Sequence, residues 1–566
     1  MQKRWVEQEV TDHKAVEELM HQLNIDAVLA ALLVGRGIST FEAARRFFRP
    51  SLSHLHDPFL MRDMDKAIDR IEKALLQKEK ILIYGDYDVD GTTAVSLVYH
   101  FLSKYHYSIE YYIPDRYKEG YGISTEGVNY AAAHGFNLII ALDCGIKSAD
   151  KVNDAKKLGI DFIICDHHLP GEKLPEAVAV LDPKREDCSY PYKELSGCGI
   201  GFKLVQAFCI QNNIPFEDIA CYLDLVAVSI ASDIVAVTGE NRVLAWYGLK
   251  RLNECPCNGL SALMEISGKK QYTISDVIFS IGPRINAAGR IDDAKQAVSL
   301  LTAPTREMAR QQSLVIDLKN SERKEHDVSI TEQALAMIEA DPSMIKRKTT
   351  VVYNKGWHQG VIGIVASRLT EKYYRPTIVL TQSNGHIAGS ARSVLGFDLY
   401  EALCECSDLL EQFGGHKYAA GLTLKAENVP ALQERFEDIV AQTIPENLLI
   451  QEISIDACLS LKTITGKFFR VLNQFAPFGP LNPAPVFLSK KVYVCGTACV
   501  VGNNHLKMVI RQNDSSAFEC IGFGLGDYLS LVKTERYFDI CYTIEENVWK
   551  DKRCVQLNLK GIRRAS

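Results

Sequence analysis

Residues 81–91, ILIYGDYDVDG, constrain the fold more than any other part of the chain. Four mostly apolar residues read as a buried strand ending at Gly85, and Asp86, Asp88 and Asp90 follow at alternate positions. Gly91, Thr92 and Thr93 then open an apolar helical run, AVSLVYHFL. A strand that ends in acids and turns into a helix places those acids at the carboxyl edge of an α/β sheet, where such folds hold ligands. Three anions so close together repel strongly unless a cation offsets them. The plain alternative is an acidic turn that caps the next helix.

The pattern recurs. Candidate strands ILIYG, IEYYIP, LIIALD, DFIICD and VAVLDP alternate with helical runs over residues 78–235, which implies a parallel sheet with helices on both faces. Residues 138–142 run into Asp143, residues 162–165 into Asp166-His167-His168, and residues 178–181 into Asp182. In a parallel sheet these ends share one edge, so Asp86, Asp88, Asp90, Asp143, Asp166, His167 and His168 converge. Asp233, after the apolar run YLDLVAVSI, offers one more carboxylate. Carboxylate and imidazole ligands suit Mn²⁺ or Mg²⁺ with water better than a thiolate site does. One carboxylate can bridge two ions, about 3.5–4 Å apart in such centres, which generate hydroxide and stabilise an in-line phosphoryl displacement. The second histidine of such a pair more often tunes or donates than ligates.

Composition sets the surroundings of this site. A net charge of −6 over 566 residues excludes a global basic field, so a polyanion must be met by local patches. Sixteen cysteines without a single CxxC exclude a zinc ribbon or disulfide framework and point to reduced thiols in a cytoplasmic protein. The start MQKRWVEQEV lacks the apolar core of a signal peptide, and no apolar run is long enough to span a membrane.

Residues 1–76 read as an N-terminal helical segment leading into a main domain over 77–303. Residues 304–346 are built on a densely charged run without glycine or internal proline up to 341, expected to form a long, largely solvated helix that joins two lobes. A cleft between lobes that admits one strand would exclude duplex. A second α/β unit follows over 347–444, and residues 445–566 show five alternating strands that fit an OB-like barrel. Such barrels bind single strands by aromatic stacking, for which Phe487, Phe523 and Trp549 are candidates alongside a role in the barrel core.

Several polar positions suit phosphate. Arg116 lies in the glycine-bearing loop PDRYKEGYG, and a guanidinium grips a terminal phosphate through two hydrogen bonds. Arg284, Asn286 and Arg290 come from GPRINAAGRIDDA after a Gly-Pro break, with pairing to Asp292 or Asp293 as the structural alternative. His358 stands where a helix begins, a place that attracts anions. Ser390, Arg392, Gly414, Gly415 and His416 read as glycine-bracketed turns that let backbone approach a phosphate.

GDYDVDG, LDCG, DHH and SDIV resemble, in order and spacing, the four metal-binding motifs of the DHH phosphoesterases. PDRYKEGYG, GIGFKLVQA, GPRINAAGR, GWHQGVIGIVASRL, GSARS and FGGHKYAAG are similar to the branch of that family that digests single-stranded DNA 5′→3′. The resemblance covers nearly everything after residue 50. It implies a DHH core and a DHH-associated domain joined by a long helix, with an OB-like domain at the carboxyl end. It also implies a two-ion Mn²⁺ or Mg²⁺ site with Asp88, Asp90, Asp143, His167 and Asp233 as ligands and Asp86 close by, and catalytic roles for Asp143, Asp166 and His168. The substrate would be single-stranded DNA in repair and recombination, with a helicase or single-strand-binding protein as partner. A phosphoesterase of short oligoribonucleotides or cyclic dinucleotides is the alternative within the family. Some relatives carry histidine where this chain has Tyr84, and glycine is usual at the position of Leu481.

Overall fold

The computed structural model describes residues 3–383, 385–549 and 552–565, side chains excepted at 548, 549 and 552. The chain divides into two compact units. One comprises Val6–Gly289, Asp293–Ile316 and Ser454–Ser566, and the other is built on Asp317–Ile453 with Arg290–Asp292.

In the first unit, β1 (Ile81–Gly85), β2 (Ile109–Tyr112), β3 (Leu138–Leu142), β4 (Asp161–Cys165) and β5 (Ala179–Leu181) form a parallel sheet in the order β2-β1-β3-β4-β5. Successive side chains enter opposite apolar clusters, Ile81, Ile83, Ile140 and Ile163 on one face and Leu82, Tyr84, Ile139 and Ile164 on the other. Both faces are covered, which is why the strands are continuously apolar rather than alternating. Each large aliphatic side chain so buried contributes roughly 1.5–3 kcal/mol. The chain direction of the crossovers reverses between β1 and β3, the switch point at which this strand order leaves a crevice for ligands. The helices that frame this edge are α1 (Val89–Leu102), α2 (Gly197–Gln211) and α3 (Leu223–Ser232).

The Gly-Pro break expected before Arg284 is absent. A π-helical turn at Val277–Ile281 runs directly into α4 (Gly282–Ile291). Pro283 is its second residue, where a missing N–H costs little. The long charged run forms α5 (Arg306–Ala340), which stops at Asp341 because Pro342 cannot continue it. It is not solvated all round, since Ala309, Ser313, Ile316, Asn320, Asp327, Ile330, Ala334 and Ile338 form a buried stripe at helical spacing.

The second unit holds a mixed sheet of β6 (Thr350–Tyr353), β7 (Thr377–Ser383), β8 (His386–Arg392), β9 (Gln412–His416) and β10 (Ala419–Leu424), ordered β9-β10-β8-β7-β6. Gly414, Gly415 and His416 therefore lie in a strand of a hairpin rather than in a turn. Their glycine content hides the β pattern, and the partner strand β10 supplies the hydrogen bonds that enforce it. Helix α6 (Gln359–Tyr373) packs on this sheet.

Near the carboxyl end, β11 (Phe487–Val501), β12 (His505–Arg511), β13 (Phe518–Gly522), β14 (Phe538–Trp549) and β15 (Lys552–Arg564) close into a barrel through the β11–β14 pairing. The N-terminal segment is not a separate helical cap. Arg4–Glu7 is a strand paired with Glu452–Ile455. Leu29, Leu33 and Ala44 of the following helices share one apolar cluster with Phe468, Phe475, Phe487 and the barrel. Arg242 fastens the parallel-sheet domain to the same cluster. It donates to the carbonyls of Phe47, Gln474, Phe475 and Ala476 at 2.9–3.1 Å, and its guanidinium lies 3.8 Å from the Phe47 ring centre. Phe487 is barrel core and Phe523 is exposed beside His505, while the Trp549 side chain falls outside the described residues.

Candidate metal centre

The carboxyl ends of β1, β3 and β4 deliver the acids. Asp86 leaves β1 buried, and Asp88 caps α1 by accepting from the Gly91 N–H at 3.0 Å. In the first turn of α1, Asp90 turns inward and accepts from the N–H groups of Gly197 and Cys198 at 2.7 and 2.8 Å, at the N-terminus of α2, and from the Ser229 hydroxyl at 2.7 Å. Three donors fix that carboxylate in one orientation. Gly197 must be glycine, because a Cβ there would stand 2.6 Å from the Asp143 Cβ.

Asp143 follows β3 with φ +60°, and Ile234, directly after Asp233, has φ +58°. Left-handed backbone at an aspartate and at a β-branched residue is strain held by the surrounding packing, and it aims both carboxylates at one point. His167 Nε2 lies 3.2 Å from Asp143, 3.5 Å from Asp233 and 3.7 Å from Asp90. The ligand atoms of Asp86, Asp88 and Asp143, of Asp90, His167 and Asp233, and of Asp143, His167 and His168 each lie within 4.8 Å of one another. Asp143 and His167 each belong to two of these groups, which suits two neighbouring ions.

The protein's own cations, Arg116 for Asp86 and Lys184 for Asp233, offset this charge only in part. Burial and then neighbouring carboxylates push Asp86, Asp88 and Asp143 above the usual carboxylate range, and Asp233 to about 9. Asp86 Oδ1 and Oδ2, Asp143 Oδ1 and both ring nitrogens of His167 are buried without a hydrogen-bond partner. Orphaned buried acceptors of this kind need a partner that the protein does not supply. A hard divalent cation fits this donor set of carboxylate oxygens and one or two imidazoles.

Asp166 behaves differently. Burial raises its pKa, but the hydrogen bond and charge of His168 and the Ile146 N–H bring it down to about 2. It accepts from the N–H groups of Ile146, His167 and His168 and from His168 Nδ1 at 2.7 Å, so it orients the Asp-His-His turn rather than reaching toward a cation. Tyr84 points to the opposite face of the sheet, where its hydroxyl donates to the Gly122 carbonyl at 2.9 Å and accepts from the Ser124 N–H.

The other sequence-derived positions separate between the units. Arg116 is half-buried in the first unit, 4.7 Å from the Tyr87 ring centre. Arg284 donates to the Ser280 carbonyl at 2.7 Å, and Asn286 is half-buried further along α4. Arg290 donates to the Gly360 carbonyl inside the second unit. There, Ser390, Gly421 and Gly414 are neighbours across three strands, as are Arg392, Ala419 and His416. Arg392 Nη1 donates to Ser390 Oγ at 3.1 Å, and α6 approaches both through Gly363, whose Cβ would meet them at 3.0–3.2 Å. His358 caps α6, accepting from the Gly360 N–H at 3.1 Å, with its ring stacked on His326. Burial and the His326 charge lower its pKa.

The sequence reading saw Asp182 as a strand end without adding it to the converging set, and it did not single out Tyr121. Asp182 ends β5 fully buried, with Oδ2 unpartnered and a pKa pushed by burial to about 7. The strand-end rule that found Asp143 and Asp166 applies to it equally. Tyr121 touches the Asp143 carbonyl and the His168 ring. Its sequence signals are its place between Gly120 and Gly122 and its membership of the PDRYKEGYG stretch.

Comparison with known proteins places these features in context. Residues 80–230 match "DHH family, N-terminal domain", residues 346–442 "DHHA1 domain" and residues 455–561 "RecJ OB domain". The chain is 40% identical over 562 residues to the single-stranded-DNA-specific exonuclease RecJ of Bacillus subtilis, covering 98% of this chain and 70% of that protein. It is 32% identical to the Escherichia coli protein of the same name, covering 94% and 95%. Among solved structures, RecJ of Thermus thermophilus in complex with Mn²⁺ superposes with a TM-score of 0.85 at 26% identity, covering 100% of this chain and 80% of that one.

Proposed function

The chain belongs to the RecJ family of DHH exonucleases specific for single-stranded DNA, and from that premise we propose that it degrades single strands 5′→3′ and releases 5′-mononucleotides. Mn²⁺ or Mg²⁺ is the cofactor, and Asp86, Asp88, Asp90, Asp143, His167 and Asp233 are assigned to hold it. The observation that carries this reading is the set of buried, unpartnered oxygens and imidazole nitrogens at the β1/β3 edge.

When bound, the ions supply an activated water and neutralise charge on the phosphoryl group. The protein's own contribution is positional. Two backbone N–H groups and Ser229 hold Asp90, Asp166 fixes His168 through Nδ1, and left-handed backbone presents Asp143. With Nδ1 on Asp166, His168 Nε2 is the nitrogen that can carry a proton for the departing oxygen. Arg116 in one unit, and Ser390, Arg392, Gly414, Gly415, His416 and His358 in the other, are assigned to the phosphates of the strand, with Arg284, Asn286 and Arg290 along its path.

Digestion of oligoribonucleotides or cyclic dinucleotides is not favoured, since relatives at 32–40% identity over nearly the whole chain are named for single-stranded DNA. The assignment extends to a cytoplasmic role in repair and recombination, with a helicase or single-strand-binding protein delivering the substrate. All sixteen cysteines are free thiols, and among the described residues no helix is long and apolar enough to cross a membrane. The test is a time course on single strands labelled at the 5′ or the 3′ end, with Mg²⁺ or Mn²⁺. Immediate release of a labelled mononucleotide from the 5′-labelled strand, and progressive shortening of the 3′-labelled one, is the expected result. The reverse pattern, or equal attack on duplex, contradicts the assignment.

A further inference from the structure

Loop residues 114–122 are braced from below. Tyr84 binds the Gly122 carbonyl and the Ser124 N–H, and Glu119 accepts from the Asp115 N–H, the Tyr112 hydroxyl and the Ser124 hydroxyl at 2.5–2.9 Å. Gly120 and Gly122, with φ of +84° and +85°, turn the chain sharply on either side of Tyr121. The tyrosine ring meets the Tyr87 ring edge-on at 6.4 Å, and the Arg116 guanidinium lies over that same Tyr87. The Tyr121 hydroxyl reaches the centre itself, 3.3 Å from the Asp143 carbonyl and against the His168 ring, 3.2 Å from Nε2 and 3.4 Å from Nδ1.

The hydrogen-bond directions around His168 follow from chemistry. The Asp166 carboxylate only accepts, so His168 Nδ1 carries a hydrogen toward it, and Nε2 is the ring atom left for exchange. A carbonyl also only accepts, whereas a phenol hydroxyl both donates and accepts. Tyr121 can therefore donate to the Asp143 carbonyl while its oxygen packs against the His168 ring beside both nitrogens. The imidazole is thus held by Asp166 at Nδ1 and by the Tyr121 hydroxyl against its ring.

We propose that Tyr121 is a positioning residue for the exonuclease reaction: its hydroxyl holds the His168 imidazole and the Asp143 backbone in register, and its ring seats the Arg116 loop on the same centre. The proposal rests on the nuclease reading above. The two halves of the side chain are separable. Tyr121→Phe removes only the hydroxyl, and kcat on a 5′-phosphorylated single strand is expected to fall ~10–100-fold, the usual effect of losing such an outer partner. KM and Mn²⁺ affinity, measured by paramagnetic resonance, stay within about two-fold. Tyr121→Ala also removes the ring against Tyr87, so KM rises as well. A readout independent of cleavage is the ¹⁵N spectrum of histidine-labelled protein. The His168 Nε2 resonance, assigned by its loss in His168→Gln, is expected to shift in Tyr121→Phe. Wild-type kcat in Tyr121→Phe, an unshifted His168 signal, or a kcat loss that tracks lost Mn²⁺ affinity overturns the proposal. If the unaltered protein fails to cleave single strands, the nuclease reading falls, and the nitrogen resonance still decides whether Tyr121 holds His168.

Discussion

The two sheets prepare opposite kinds of surface from the same backbone geometry. In the parallel sheet every strand points the same way, so strand ends accumulate on one edge, and Asp86, Asp143 and Asp166 are gathered there by topology alone. In the mixed sheet the edge is not used. Three antiparallel strands place Ser390, Gly421 and Gly414 side by side, and the surface is made by taking side chains away. A cluster of anions requires a cation, whereas the glycine strip leaves an open sheet face beside Ser390 and Arg392, where we propose that an anion lies. Charge is concentrated by convergence in one case and accessibility is created by omission in the other.

If that contrast is correct, damage to the acidic edge should abolish chemistry. Asp143→Ala removes a carboxylate shared by two of the candidate ion groups. Several kcal/mol of transition-state stabilisation are expected to go with it, a loss of about three orders of magnitude or more in kcat. Circular dichroism should show an intact fold, because the side chain removed is a repelled, desolvated charge. Near-normal turnover would show that the convergence is structural only.

Arg392→Ala tests the other surface and should act on binding. A charge-assisted hydrogen bond contributes roughly 1.5–3 kcal/mol, so KM for a 5′-phosphorylated strand is expected to rise ~10–100-fold with a smaller change in kcat. A loss confined to kcat would mean that the mixed sheet does chemistry rather than hold phosphate.

The acidic edge should also reveal itself without any substrate. Asp86, Asp88 and Asp143 are raised in the folded state, Asp182 to about 7 and Asp233 to about 9, against about 4 when unfolded. Between those limits the folded chain binds more protons than the unfolded one, so stability falls as pH rises. His168, raised chiefly by its hydrogen bond to Asp166 against the opposing effect of burial, adds to this above about 6.5. His167, lowered by burial, opposes it. Asp166 acts only below pH 4, where its depressed value of about 2 adds stability that is lost on acidification. Chelator-treated protein is thus expected to lose several degrees of Tm from pH 5 to 9, and saturating Mn²⁺ should remove most of that slope. A flat or rising profile in the chelated protein would mean that the carboxylates are compensated internally.

The acidic edge was legible because two independent signals coincide in it, apolar runs that mark buried parallel strands and an acid at the end of four of the five. Asp233 was found by the same logic from a helix. The glycine strip was half legible. Ser390 and Arg392 stood out, but glycine carries no β preference, and the hairpin that aligns Gly414 with Gly421 depends on a pairing that local pattern does not specify. The N-terminal helices gave their own outline but not their partner, since the barrel cluster they join lies over 400 residues away in sequence. Leu481, exposed with φ +58°, shows the limit differently: it keeps the left-handed turn usually given to glycine, held by the Gly479–Asn482 bridge around it.

The smallest expected effect separates the two surfaces most finely. A Cβ at Gly421 would meet nothing within 4 Å, and the residue is not in left-handed backbone. Gly421→Ala therefore adds no clash and removes unfolded-chain entropy, for a gain of about 0.4–1 kcal/mol in stability. The added methyl stands between Ser390 and Gly414, where a phosphate is assigned to lie. KM should rise a few-fold in a protein that melts higher, the signature of a surface kept bare for its ligand. At Gly197 the same methyl would collide with Asp143, so glycine there serves packing of the acidic cluster. An unchanged KM in Gly421→Ala would reduce the strip to an ordinary sheet surface and leave Arg392 and Ser390 to account for phosphate binding by themselves.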